Sequence, residues 1–175
     1  MNQLQPYAPT EWGPTNTDER HRVVLSGVFN LPWGIQASPI FQAGSARPYN
    51  LTEGIDCNGD GTANDRLYVS TSTGAPVSCG KTGGGQPAGT VLVGLNSQRG
   101  DPTWDFDARL TKYFNFGEIR KLGFFAEFYN ITNHANFGNT YNGNFSAGPL
   151  FETPTSYLAG FPTSRQLQLG GRFTF

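Results

Sequence analysis

The chain has 175 residues, enough for one substantial domain, and 12 basic residues balance 13 acidic ones to a formal net charge of -1. That balance provides no basic stripe for nucleic acid and no charge block for a disordered tail, and no apolar run is long enough for a membrane-spanning helix. The 23 glycines, 12 prolines and 14 phenylalanines mix turn formers with strand-favouring aromatics, which argues for an all-β chain even though only 37% of residues are hydrophobic.

The first six residues, Met1 to Pro6, lack the charged and apolar regions of a signal peptide, so export would be encoded elsewhere. Five segments then alternate with period two. In the first, residues 21–31, Val23, Leu25, Gly27, Phe29 and Leu31 share a face. In the second, residues 34–46, Ile35, Ala37, Phe41 and Ala43 oppose Gln36, Ser38 and Gln42, and Pro39 calls for a bulge or local break because it cannot donate to a ladder.

The third segment, residues 103–114, sets Trp104, Phe106, Ala108, Leu110 and Phe114 against Asp105, Asp107, Arg109, Thr111 and Tyr113. In the fourth, residues 119–131, Leu122, Phe124, Ala126 and Phe128 oppose Lys121, Gly123, Glu127 and Tyr129. The fifth, residues 164–175, sets Leu167, Leu169, Phe173 and Phe175 against Gln166, Gln168, Arg172 and Thr174. No helical periodicity competes. The connections alternate: little more than Pro32-Trp33, then a long loop over residues 47–102, then about Asn115 to Glu118, then a second long loop over residues 132–163. Tight turns at one end and long loops at the other are the rhythm of an outer-membrane barrel, and each segment is long enough to cross a bilayer when tilted.

The chain ends Leu169-Gly170-Gly171-Arg172-Phe173-Thr174-Phe175, and Gly170, Phe173 and Phe175 resemble the β-signal read by the outer-membrane assembly machinery. Further stretches resemble the C-terminal barrel region of TonB-dependent receptors, particularly the Oar-like group with a carboxypeptidase-regulatory-like domain: residues 18–32 (DERHRVVLSGVFNLP), 45–50 (SARPYN), 56–66 (DCNGDGTANDR), 124–138 (FFAEFYNITNHANFG) and 165–175 (RQLQLGGRFTF). The resemblance implies an antiparallel curved sheet of about five transmembrane strands, the closing part of a large barrel in the bacterial outer membrane. It implies energy-coupled uptake of a bulky ligand, and no enzyme activity. Its partners would be outer-membrane lipid, the barrel assembly machinery, an unidentified ligand, and TonB acting through a plug that this sequence lacks. Five strands would leave two open edges, so the expectation is a fragment of a longer receptor.

Within the first long loop, Asp56, Asn58, Asp60, Thr62 and Asn64 place oxygens at alternate positions around Gly61, the pattern of a calcium loop. Position twelve is Leu67 instead of an acid, and Asp65 is the candidate substitute; the alternative is an Asx-rich turn capping its own backbone. Cys57 and Cys79 can form a disulfide in an oxidising compartment, or stand as unrelated thiols. Asp105, Asp107, Arg109, Glu127 and Arg172 are expected on the lumen face, pairing across the wall instead of doing acid–base chemistry. His21 and His134 have no ligand-like spacing, and Gly80-Lys81-Thr82 lacks the glycine and helix of a phosphate loop.

Two rival architectures fit the same pattern: another outer-membrane barrel, such as a porin or adhesin, and a secreted, calcium-stabilised β-sandwich binding module. A barrel exposes Phe106, Leu110, Phe124 and Phe128 to lipid, whereas a sandwich buries them against a second sheet.

Overall fold

The computed structural model describes residues 7–175, so the reading of the first six residues as leaderless lies outside the described residues. In chain order the strands are β1 (Arg22–Ser26), β2 (Phe29–Leu31), β3 (Ile35–Gly44), β4 (Pro48–Tyr49), β5 (Tyr68–Ser70), β6 (Pro76–Val77), β7 (Thr90–Leu92), β8 (Gln98–Arg99), β9 (Thr103–Phe116), β10 (Arg120–Tyr129) and β11 (Gln166–Thr174). The helical turns among the described residues are short 3-10 pieces at Pro9–Glu11, Pro32–Gly34 and Phe145–Leu150. The chain divides into two compact units.

One unit, residues 20–45, 102–136 and 157–175, carries the long strands. They form an antiparallel sheet in the order β1-β3-β9-β10-β11, with β2 also paired to β3. Register sorts side chains into rows. Phe29, Ala37, Leu110, Ala126 and Leu169 form one apolar row; Ser38, Arg109, Glu127 and Gln168 form a polar row on the other face. Leu110, Phe124 and Leu169 are 44%, 53% and 72% exposed, as an apolar face turned to lipid requires. The short connections, Pro32–Gly34 and residues 117–119, both lie at one end of the sheet and bend through positive φ at Trp33, Gly34 and Gly117.

The first expected strand is not continuous. It breaks into β1 and β2 at Gly27 and Val28, while β3 runs through Pro39 without interruption. The Gly27 N–H donates to the Pro39 carbonyl at 3.3 Å, so the nitrogen of Pro39 faces the same neighbour, and the reciprocal bond has no donor. Proline therefore costs the ladder on the β1 side only, and its pairing with Ala108 of β9 survives. The break falls in the partner strand instead of the strand that holds the proline. Other boundaries shift by a few residues: β9 runs on to Phe116, β10 spans only Arg120–Tyr129, and β11 spans Gln166–Thr174.

The other unit, residues up to 19 with 46–101 and 137–156, is built from what reads in sequence as loop. Five of the short strands lie in it, as a β4-β8 pair and a three-stranded sheet in the order β6-β5-β7. Its small core holds Leu51, Cys57 and Leu67. Three arginines tie the first described segment to the rest: Arg66 to Glu11, Arg47 to Glu19 at 2.7 Å, and Arg99 to Asp18 at 2.8 Å. The Arg66–Glu11 pair is almost wholly buried, and Arg66 also donates to the Val93 carbonyl. Removing either partner would strand a charge.

Candidate functional site

The polar face of the sheet is where the expected lumen residues fall. Arg109 and Glu127 stand opposite one another in register and form an ion pair at 3.3 Å, with the Tyr129 hydroxyl donating to the second Glu127 oxygen at 3.3 Å. Asp107 occupies the adjoining row beside Tyr129 and accepts from the Asn130 N–H at 2.8 Å. Asp105 is buried opposite Gln42. Ser38, Asp107, Arg109, Glu127 and Tyr129 line a shallow cleft of about 280 Å³. Arg172 shares this face but lies two rows from Glu127, opposite Gly123. Among the described residues the ion pair on this face is Arg109–Glu127, while one Asp105 carboxylate oxygen is buried without a hydrogen-bond partner.

Two aromatics complete this face: Tyr113, which alternation placed there, and Phe125, which it passed over. The Phe125 ring lies over Gly170, and the Arg109 guanidinium sits 4.0 Å from the ring centroid. Tyr113 likewise covers Gly123, with Lys121 4.8 Å from its ring. Gly170 thus leaves room for a ring, whereas Phe173 points to the opposite face beside Leu122 and stacks on the exposed Phe175 at 5.9 Å.

Two asparagines organise the long-loop end of β9 and β10. The Asn136 side chain pairs with the backbone of Trp104 as another strand would, accepting from its N–H at 2.8 Å and donating to its carbonyl at 2.9 Å. The Trp104 ring stacks on His134 at 4.4 Å. Asn130 is fully buried at a positive φ of 48, donating to the His134 and Pro162 carbonyls and accepting from the His134 N–H. Left-handed backbone tolerates asparagine, and a buried amide needs all its partners, so one residue type meets both demands. The signal was present in the run Asn130-Ile131-Thr132-Asn133-His134-Ala135-Asn136, but nothing in it named the partners.

In the other unit, Cys57 and Cys79 are joined in a disulfide. Asp56 accepts from the backbone N–H groups of Gly59, Asp60 and Gly61 at 2.7 to 3.1 Å. Asn58 and Asp60 accept from Asp60 and Thr62 N–H groups, both at 2.9 Å. Asp65 closes the loop from its far end, one oxygen accepting from Cys57 N–H at 2.6 Å and Asn58 N–H at 2.9 Å. Among the described residues no three His, Cys, Asp or Glu side chains are grouped to hold a metal by themselves. Glu53, which sequence reading passed over, is fully buried beside this loop. Burial, then the Asp65 and Glu53 carboxylates, raise the Tyr68 phenol above its ordinary pKa.

The same unit carries a stacked pair, Tyr49 and Tyr141, with ring centroids 5.4 Å apart. Each phenol donates to a carboxylate, Tyr49 to Glu152 and Tyr141 to Asp101. Burial first, and these carboxylates next, push both up to about 12.

A family model described as an outer membrane beta barrel domain matches residues 1–168. No curated protein and no solved structure matches the chain. The exposed apolar face, the polar face behind it and the alternation of short turns with long connections agree with that description. The chain belongs to the outer membrane beta barrel domain family, and its long-stranded sheet is a section of wall in the bacterial outer membrane.

Proposed function

We propose that the chain is a wall section of a TonB-dependent receptor that takes up a bulky ligand by energy-coupled transport, and that it catalyses no reaction. The observation that carries the reading is the folding of the long connections. They make a compact unit of their own, closed by a disulfide and pinned by three ion pairs, instead of flexible crowns. A rigid, aromatic-bearing loop unit suits recognition of a large solute, whereas a passive pore needs only a polar channel. The five stretches that resemble Oar-like receptors support the same reading. On it, the wall works with outer-membrane lipid, the barrel assembly machinery, the ligand, and TonB through a plug.

The test is genetic. Loss of the gene and loss of TonB should produce the same growth defect on the same nutrient, and collapsing the proton gradient should stop uptake. A defect confined to loss of the gene, with uptake unaffected by TonB or the gradient, would make the protein a passive porin.

A further inference from the structure

The transport reading leaves Glu53 unused. Its side chain is fully buried, and neither carboxylate oxygen has a hydrogen-bond partner. An ionised carboxylate in that position is costly unless a cation meets it. Arg66 is not that cation, because its guanidinium goes to Glu11 and the Val93 carbonyl.

Register shows which way Glu53 faces. Thr52 and Arg66 form an antiparallel bridge, the Glu53 N–H donates to the Asp65 carbonyl at 2.8 Å, and the Leu67 N–H donates to the Leu51 carbonyl at 3.2 Å. Leu51, Glu53, Asp65 and Leu67 therefore share one side of the bridge, and all four are buried. Glu53 is directly opposite Asp65, whose carboxylate holds the entrance of the Asp56 loop. The loop contains an orphan of its own: the side-chain oxygen of Asn64 is buried without a partner. Three oxygens that lack a donor thus belong to one short stretch of chain.

We propose that residues 53–65 form a calcium site in which Glu53 supplies the acidic ligand that Leu67 denies the loop at its twelfth position. Oxygens of Asp56, Asn58, Asp60 and Asn64 complete the set, while Asp65 holds the loop entrance. The chemistry favours calcium over other divalent ions. The donors are all hard oxygens, both cysteines are locked in the disulfide, and neither histidine lies in this unit. Magnesium would ask for near-ideal octahedral geometry, which a loop of amide and carboxylate side chains does not impose. Binding draws the carboxylates together from their present separation. The disulfide and the Gly83 and Gly85 N–H groups, which donate to the Asp56 and Cys57 carbonyls, already brace the loop from outside. The inference stands on the geometry of this loop and does not rest on the transport reading.

The test uses the full chain folded in outer-membrane vesicles, stripped with chelator and titrated with calcium alone. Radiocalcium binding should saturate at one ion per chain with a Kd of about 10⁻⁴ to 10⁻³ M, the range of extracellular calcium modules, and protease cleavage within residues 53–89 should slow in parallel. Glu53→Gln should weaken binding by roughly 10- to 100-fold while the disulfide still forms. Asp60→Asn, at a half-buried position of the loop, serves if the first variant fails to fold. Three results would overturn the proposal: no binding by the wild type at ~10 mM calcium, equal binding by the variants, or equal protection by magnesium. Greater stability of Glu53→Gln with no calcium response would likewise overturn it, since Glu53 would then act as a buried cost and not as a ligand.

Discussion

Gly170 and Gly171 are neighbours in the terminal strand, yet the fold asks different things of them. A methyl group on Gly170 would run into the Phe125 ring, which is held on its polar side by Arg109. A methyl group on Gly171, on the opposite face, would meet Phe124 at 3.6 Å, an ordinary contact. Gly170→Ala should therefore lower the stability of the folded wall by about 1–3 kcal/mol, the range for overpacking, while Gly171→Ala should be nearly neutral. Urea unfolding of both variants in vesicles checks this; equal losses would mean that the ring is not what reserves the space. The glycine could be read from the sequence as part of an end signal, but its reason could not. That reason is the ring of Phe125, 45 residues upstream. Asn136 and Glu53 were opaque in the same way, since each is defined by a partner that only the folded chain brings near.

At the scale of elements, alternation was legible because every residue on one face of a strand meets one kind of surroundings. That is why the apolar rows of β3, β9, β10 and β11 fall where the period-two reading placed them. Lys112 is an exception within the span of the strand, as Arg120 is at the turn end of β10. Lys112 belongs to the outward row with Ile35 and Phe124, between Leu110 and Phe114, yet it carries a charge. Its ammonium donates to the Trp33 carbonyl at the short-turn end and sits 5.3 Å from the Phe114 ring, so the long side chain carries its charge to the strand end. Leu110 and Phe124 have no such escape. Leu110→Arg and Phe124→Arg should cost about 2–4 kcal/mol if these positions lie near mid-membrane, read as loss of folded protein in outer-membrane fractions. Normal assembly of both variants would mean that the outward face is misassigned. The break between β1 and β2 was half legible: Pro39 announced a defect, but which strand would carry it depended on which neighbour its nitrogen faced.

For the whole molecule, the sheet and the loop unit obey different rules. The sheet has little core in the soluble sense, since its apolar side chains are turned outward, and it relies on lipid to cover them. The loop unit has a small core, a cross-link and one buried ion pair, which is how compact extracellular modules are held. Little of that second unit could be read in advance, because its strands are two or three residues long and its ion pairs join distant segments. The sheet, in turn, is not equally tough along its width. Ten residue pairs without a gap join β3 to β9, and nine join β9 to β10, but five pairs and then three join the β1–β2 edge to β3, with Pro39 in the interval. In mechanical terms that interval is a notch: a tear under lateral tension starts where the fewest bonds cross, and Pro39 has placed that point beside Gly27. Deuterium should reach the Gly27 amide well before the amides that cross between β9 and β10, and equal protection at both would mean that the wall has no preferred line along which to part.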